Sequence, residues 1–342
     1  MNKYFEQIKR ELLTQQHTWL LTGVAGFIGS HLLEFLLKHK QRVVGVDNYS
    51  SGFEDNLTQV KDAVGPEAWE LFSFVEGDVG DAERISKTCQ GVDYVLHQAG
   101  LVSPIHSVKA PLLTYESNLM ATVRLFHACH TLKVKRVVYA SCSSVYGDTQ
   151  QKSKREHMVG QTSSPFAVTK RMCELSAENF AKVYGLTSVG LRYFNIFGPR
   201  QDPDGEYAAV IPRWIVAMIK DEPVTIFGDP DATRDYCHVD NAVQANILAA
   251  LRPMYDEIHS LFNVGSGLRI TLGQLYRTLR EMLLPDFPHL KNKKPILGDA
   301  RWGEPKHVLA DTTKIQATLK YDPEVLVNEG LARSVAWYKK NA

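Results

Sequence analysis

The sequence predicts an α/β protein built on a doubly wound parallel sheet, with a second, smaller α/β domain. Three observations carry this. Apolar, β-branched runs alternate with stretches of helical length through the first half, no repeat or linker breaks that alternation, and the second half turns to shorter elements richer in Pro, Asp and Gly. The first element is a helix over 4–13, with Phe5, Ile8, Leu12 and Leu13 on a helical period that suits packing. Strands are predicted at 18–21, 42–46, 71–75, 94–96, 137–140 and 188–191, and helices at 28–38, 81–89, 114–132 and 165–184. Buried parallel strands read as continuous apolar runs, and each pair needs such a crossover. From about Gly198 the chain carries Asp202-Pro203-Asp204-Gly205 and Gly228-Asp229-Pro230-Asp231. That stretch suits a domain set over the carboxyl edge of the sheet, where open α/β sheets bind ligands. The division is 1–195 with a returning segment near 236–265 for the first domain, and 196–235 with 266–342 for the second.

Composition excludes several classes. Thirty-nine Lys plus Arg stand against 38 Asp plus Glu in 342 residues, a net charge of +1 that offers no excess for a nucleic-acid backbone or an anionic membrane. No apolar stretch approaches the roughly 20 residues of a membrane span, and the charged start has no signal-peptide core, so a cytoplasmic location is expected. Cys89, Cys129, Cys142, Cys173 and Cys237 are odd in number and widely spread, which predicts reduced thiols rather than a disulfide framework. His127, Cys129 and His130 share one helical pattern and lack a second ligand pair, so no metal site is expected.

Gly23-Val24-Ala25-Gly26-Phe27-Ile28-Gly29 follows the first strand and opens a helix, the context a dinucleotide fingerprint requires. Gly23 makes the tight turn, Gly26 admits the pyrophosphate, and Gly29 lets helix and strand pack closely. The second strand ends at Asp47, 24 residues after Gly23. An acid there accepts the adenosine ribose 2′-hydroxyl and repels a 2′-phosphate, which favours NAD over NADP and a Rossmann-like first domain. Gly77-Asp78-Val79 and His97-Gln98-Ala99-Gly100 end the next two strands. Asp78 could reach the adenine amino group, and the small residues Ala99 and Gly100 could border the nicotinamide ribose.

These residues, with Val46-Asp47-Asn48-Tyr49-Ser50-Ser51-Gly52, Ser143-Ser144-Val145-Tyr146-Gly147, Leu191-Arg192-Tyr193-Phe194-Asn195-Ile196-Phe197-Gly198-Pro199-Arg200-Gln201 and Arg234-Asp235-Tyr236, resemble the extended short-chain dehydrogenase/reductases. Within them the likeness is to UDP-hexose 4-epimerases, and the N-terminal helix and Ala208-Ala209-Val210-Ile211-Pro212 look most like the bacterial UDP-GlcNAc/UDP-GalNAc 4-epimerases. The resemblance implies bound NAD, a UDP-sugar substrate and a 4-keto intermediate, and adds Phe27, Ile28, Asn48, Tyr49, Ser50, Gly52, Val79, Gln98, Ser117, Ser141, Lys170 and Tyr193 to the cofactor site. For the UDP-sugar it implies Ser103, Ser143, Asn195, Ala209, Val210, Trp214, Ile226, Phe227, Arg234, Arg301 and Glu304, the two arginines on the diphosphate. It also implies a homodimer through the 114–132 and 165–184 helices, although Leu119, Val123 and Phe126 could equally be buried within one subunit.

In that family a Tyr-x-x-x-Lys pair and a preceding Ser or Thr take the proton of the sugar 4-hydroxyl while C4 gives up a hydride. Here Ser164-Pro165-Phe166-Ala167-Val168-Thr169-Lys170 carries Phe166 at the tyrosine position, and Cys142 stands at the Ser/Thr position. A phenyl ring carries no proton, a thiol donates weakly, and losing a general acid/base costs about 10²- to 10⁴-fold in rate. Three accounts stay open: a Tyr-to-Phe change that traps a complex, a relative that moves the proton through Cys142, Ser143, a water on Lys170 or the substrate, and a catalytically silent binder of NAD and a nucleotide sugar. Ser143-Ser144 replaces the acid pair of the related 4,6-dehydratases and disfavours that chemistry. Val102 stands where Gly, and Val308 where Ser, is expected of the N-acetylhexosamine enzymes, which narrows room for an N-acetyl group.

Overall fold

The fold was analysed in a computed structural model that describes residues 2–149, 151–204, 208–253, 258–300 and 306–341. Helix α1 (Lys3–Thr14) is capped by Asn2, whose side chain accepts from the amides of Tyr4 and Phe5. Phe5, Ile8 and Leu12 are buried, but Leu13 is 47% exposed, against expectation. One residue past Leu12 it lies about 100° around the helix from the buried stripe. There follow β1 (Thr18–Thr22), α2 (Phe27–Lys38), β2 (Arg42–Asp47), α3 (Glu54–Val64), α4 (Pro66–Trp69), β3 (Phe72–Glu76), α5 (Ala82–Thr88) and β4 (Tyr94–His97). The helix predicted over 114–132 is divided into α7 (Pro111–Thr114), one π-helical turn (Tyr115–Met120) and α8 (Ala121–Thr131), preceded by α6 (Pro104–Lys109). Then come β5 (Arg136–Cys142), β6 (Ser153–Lys154), α9 (Pro165–Tyr184) and β7 (Ser188–Tyr193). Helix α9 starts where Ser164 caps the Ala167 amide with Pro165 behind it, and stops at left-handed Gly185.

The remaining elements are β8 (Asn195–Phe197), α10 (Val210–Ile219), β9 (Thr225–Phe227), β10 (Thr233–Arg234), β11 (Tyr236–His238), α11 (Val239–Leu251), β12 (His259–Val264), β13 (Ile270–Thr271), α12 (Leu272–Leu283), β14 (Ile296–Gly298), β15 (Leu309–Ala310), α13 (Thr313–Leu319) and α14 (Val327–Asn341). Seven strands form one parallel sheet in the order β12-β7-β5-β4-β1-β2-β3. The order reverses between β1 and β4, which opens a crevice at their carboxyl ends.

One helical layer packs Leu32, Leu33, Leu36 and Leu37 of α2 with α1 and α11. The other packs Ile85 of α5, Leu125, Phe126 and Cys129 of α8, and Ala177 of α9 against Val95 and Val137. A separate core joins α10, α12 and α14 through Ile211, Ile215, Leu275, Leu279, Leu331 and Val335. Strand β12 and helix α11 return to the first core, but so do Ile315 and Leu319 of α13, which the sequence division had put in the second. Their apolar side of a short helix closes over β12 instead. Leu119 and Phe126 are buried within this one chain, and Val123 is half-buried. Among the described residues the five cysteines are free, no cluster of His, Cys, Asp or Glu suits a metal, and no helix is long and apolar enough to cross a membrane.

Candidate functional site

The turn after β1 is shaped by missing side chains. Gly23 is left-handed (φ +70°), and a Cβ there would lie 2.7 Å from the Ala99 amide nitrogen. A Cβ on Gly29 would lie 2.0 Å from the Gly23 carbonyl oxygen. Gly26 caps α2 with no side chain, so the amides of Phe27, Ile28 and Gly29 at the helix start are left for an anion. Asp47 ends β2 with both carboxylate oxygens engaged: Oδ2 accepts the Ala25 amide and Oδ1 the Tyr49 amide, each at 2.9 Å. Burial pushes its carboxyl up, opposed by those amides. Asn48 donates to Asp78 at 2.9 Å and accepts from the Ser50 amide, while Gly52 packs on the backbone of Ala25 and Val79 is buried below. These residues form one lip across β1, β2 and β3, and its cradle of bare backbone fits a dinucleotide.

Across the switch point, His97 is buried between two threonines. Its Nδ1 lies 2.7 Å from Thr22 Oγ1 and its Nε2 2.9 Å from Thr122 Oγ1. Because the Thr122 hydroxyl donates to the Asn118 carbonyl, His97 donates from Nε2 and accepts at Nδ1. Burial, then the Lys170 charge, lowers its pKa to about 3, so the ring is neutral. Gln98, Tyr193 and Asn246 close a three-membered ring: the Tyr193 hydroxyl donates to Gln98 Oε1 (3.1 Å), Gln98 Nε2 to Asn246 Oδ1 (3.1 Å), and Asn246 Nδ2 to the Tyr193 oxygen (2.7 Å). Asn118, on the π-helical turn with half-buried Ser117 beside it, clamps Leu101 by accepting its amide at 2.7 Å and donating to its carbonyl at 2.9 Å. That fixes Gly100, whose Cβ position lies 3.6 Å from Lys170 Nζ.

Phe166 and Lys170 sit one turn apart on α9 and share a face. Both are buried, and Lys170 Nζ donates to the Ala140 carbonyl at 2.9 Å. Cys142 ends β5 beside Lys170. Burial pushes its thiol up, and Lys170 and Ser144 pull it partly back. Ser143 opens the next turn half-exposed, with no side-chain hydrogen bond among the described residues. Ser141 faces the other way: its hydroxyl donates to Glu174 Oε1 at 2.7 Å. Glu174, a turn beyond Lys170, forms a forked ion pair with Arg192 at 2.7 and 2.8 Å, both side chains fully buried.

In the second domain Asn195, Ala209 and Phe227 are exposed and Val210 half-buried. Trp214 and Ile226, expected with their neighbours to line the sugar and uracil pockets, are buried in the α10–α12–α14 core, because they fall on the inward side of α10 and β9. Arg234 donates to the carbonyls of Thr233 and Lys306, and its neighbour Asp235 accepts the amides of Ser266, Gly267 and Ala310. Ser103 uses its hydroxyl to cap α6 through the His106 amide. Val102 is 70% exposed, and Val308 packs with Cys142, Val145, Tyr146 and Phe194. Arg301 and Glu304 lie outside the described residues. Asn118, Thr122 and Asn246 were missed by sequence reasoning, since nothing local marks a polar helix residue as a clamp. Glu174 had a signal, its four-residue spacing from Lys170.

Residues 19–265 match the NAD dependent epimerase/dehydratase family. The chain is similar to a UDP-glucose 4-epimerase of Mycolicibacterium smegmatis, 32% identical over 94% of this chain and 99% of the relative. Among solved structures, it is similar to a UDP-N-acetylglucosamine 4-epimerase from Methanobrevibacter ruminantium in complex with UDP-N-acetylmuramic acid (34% identity, TM-score 0.87, 96% and 100% coverage). It is also similar to a UDP-glucuronic acid 4-epimerase from Bacillus cereus in complex with UDP-glucuronic acid and NAD (30% identity, TM-score 0.83, 95% and 100% coverage).

Proposed function

The chain belongs to the NAD dependent epimerase/dehydratase family, and from that premise we propose that it is a 4-epimerase of UDP-hexoses whose proton transfer is slowed by Phe166. The observation that carries the proposal is the convergence of Gly100, Lys170 and Cys142 at the switch point, next to the glycine cradle and Asp47. The α2 amides hold the pyrophosphate, Asp47 the adenosine ribose, and Lys170 the nicotinamide ribose. NAD, when bound, supplies the acceptor for the C4 hydride. Cys142, its thiol pushed up by burial, stays protonated near neutral pH and donates to the sugar O4 rather than acting as base. As the hydride leaves C4, the O4 proton passes through the Ser143 hydroxyl and a water on Lys170 to solvent, and it returns by the same path when the keto sugar is reduced. Arg234 and Arg301 hold the diphosphate, and the apolar packing of Val308 against Cys142 supports a hexose without an N-acetyl arm. Met120, Met172 and Leu175 are exposed on the helices expected to pair two copies, which supports a homodimer.

Purified protein is expected to release NAD on denaturation and to bind UDP-glucose more tightly than UDP-GlcNAc by calorimetry; retaining no NAD and binding no UDP-sugar would sink the proposal. A second reading, favoured by Phe166 and Cys142, is a silent NAD and nucleotide-sugar binder. Any measurable interconversion of a UDP-hexose pair by the unmodified chain excludes it.

A further inference from the structure

We propose that His307 is a substrate-diphosphate ligand that takes up a proton when the UDP-sugar binds. The inference rests on the assignment of Arg234 to the diphosphate and goes beyond it by naming a further ligand and a coupling to pH. Strand β10 is the meeting point. It pairs with β13 on one side, and on the other the Thr233 amide donates to the Lys306 carbonyl at 3.0 Å while the Val308 amide donates to the Thr233 carbonyl at 3.1 Å. Next in the chain, β15 pairs with β6 and brings Lys152 alongside. Four cations from four separate segments, Lys152, Arg234, Arg269 and Lys306, therefore act on one half-exposed imidazole. The acids facing it are Asp229, whose Oδ2 pairs with Lys306 Nζ at 2.6 Å, and Asp231 beside Lys306.

Burial and these cations hold His307 below the ordinary imidazole value. A diphosphate carries two negative charges, and placed against Arg234 it offsets much of that positive field and favours the protonated ring at His307. The ring is ready for both states. Its Nδ1 lies 3.0 Å from Thr233 Oγ1, and a hydroxyl donates to a neutral ring or accepts from a charged one, which leaves Nε2 to donate to a phosphate oxygen.

The test is calorimetry of the purified protein with UDP-glucose, whose diphosphate diester does not itself titrate near neutrality, in two buffers of different ionisation enthalpy between pH 6 and 8.5. The expected result is net proton uptake near pH 7 and affinity several-fold higher at pH 6 than at pH 8.5, approaching the tenfold of a one-unit rise in the imidazole pKa as the pH falls further. His307→Asn should still bind UDP-glucose without uptake or pH dependence, and Arg269→Gln should move the pH of greatest uptake upward, which a merely structural role would not do. Binding with no uptake, or uptake retained in His307→Asn, overturns the inference alone. No UDP-glucose binding at any pH removes the diphosphate assignment beneath it and overturns both.

Discussion

Restoring tyrosine at position 166 isolates the missing proton carrier. Phe166 is 5% exposed and lies one turn before Lys170, so the added hydroxyl enters a nearly dry site. Unpartnered, it would cost about 1–3 kcal/mol of stability. It need not be unpartnered: the Lys170 ammonium has three donors, of which one goes to the Ala140 carbonyl. Phe166→Tyr should therefore leave the urea midpoint nearly unchanged. Beside an ammonium the phenol is held more acidic and can serve as base and acid in turn. The regained transfer is worth about 10²- to 10⁴-fold, or roughly 3–5 kcal/mol of barrier. The assay is chromatographic interconversion of UDP-glucose and UDP-galactose at saturating substrate, with bound NAD measured in both proteins. A folded, NAD-loaded Phe166→Tyr protein no faster than its parent would refute the reasoning and turn attention to Cys142 and Val102.

Three further outcomes follow from the same geometry. Glu174→Ala leaves the fully buried Arg192 guanidinium without its carboxylate and should destabilise the protein by about 3–5 kcal/mol in urea; a loss under 1 kcal/mol would mean that the Glu156 carbonyl, the Tyr146 ring and water hold the charge. His97 titrates at about 3 in the fold against an ordinary value of 6.5, so on acidification the unfolded chain takes a proton that the native state refuses. Stability must fall as the pH drops from 6.5 toward 3, by about 2 kcal/mol at pH 5 from this group. His97→Asn should shrink the difference between urea midpoints at pH 7.5 and pH 5, and an unchanged difference counts against a neutral His97. Gly29→Ala drives a Cβ onto the Gly23 carbonyl. It should strip NAD from the purified protein at least tenfold, as read by absorbance after denaturation.

The sheet was legible because its strands are apolar runs set between crossovers, and six of the seven that compose it stand where those runs are. The seventh, β12, begins His259-Ser260 and carries Asn263, so its polar residues blur the pattern. The cradle was legible for a different reason: backbone approach demands glycine, and Gly23 and Gly29 meet the clashes that make them necessary. What pattern could not reach was partner choice. Ser141 faces Glu174 rather than the cleft, Trp214 and Ile226 turn inward, and Asn118 grips Leu101 from a π-helical turn that no periodicity announces. Each depends on a residue far away in sequence. The cations about His307 are likewise assembled from separate segments, Lys306 beside it in the chain and Arg269, Arg234 and Lys152 38, 73 and 155 residues away.

The central claim is that one crevice holds NAD and a UDP-hexose together, with Lys170 at the nicotinamide ribose and Arg234 at the diphosphate. A crystal structure of the chain with NAD and UDP-glucose tests it most directly. The account predicts the pyrophosphate at the start of α2, a ribose on Asp47, the sugar C4 facing the nicotinamide beside Cys142 and Phe166, and the UDP diphosphate against Arg234 and His307. A dinucleotide that leaves Asp47 and the α2 amides untouched, or a sugar bound away from Lys170, would contradict it.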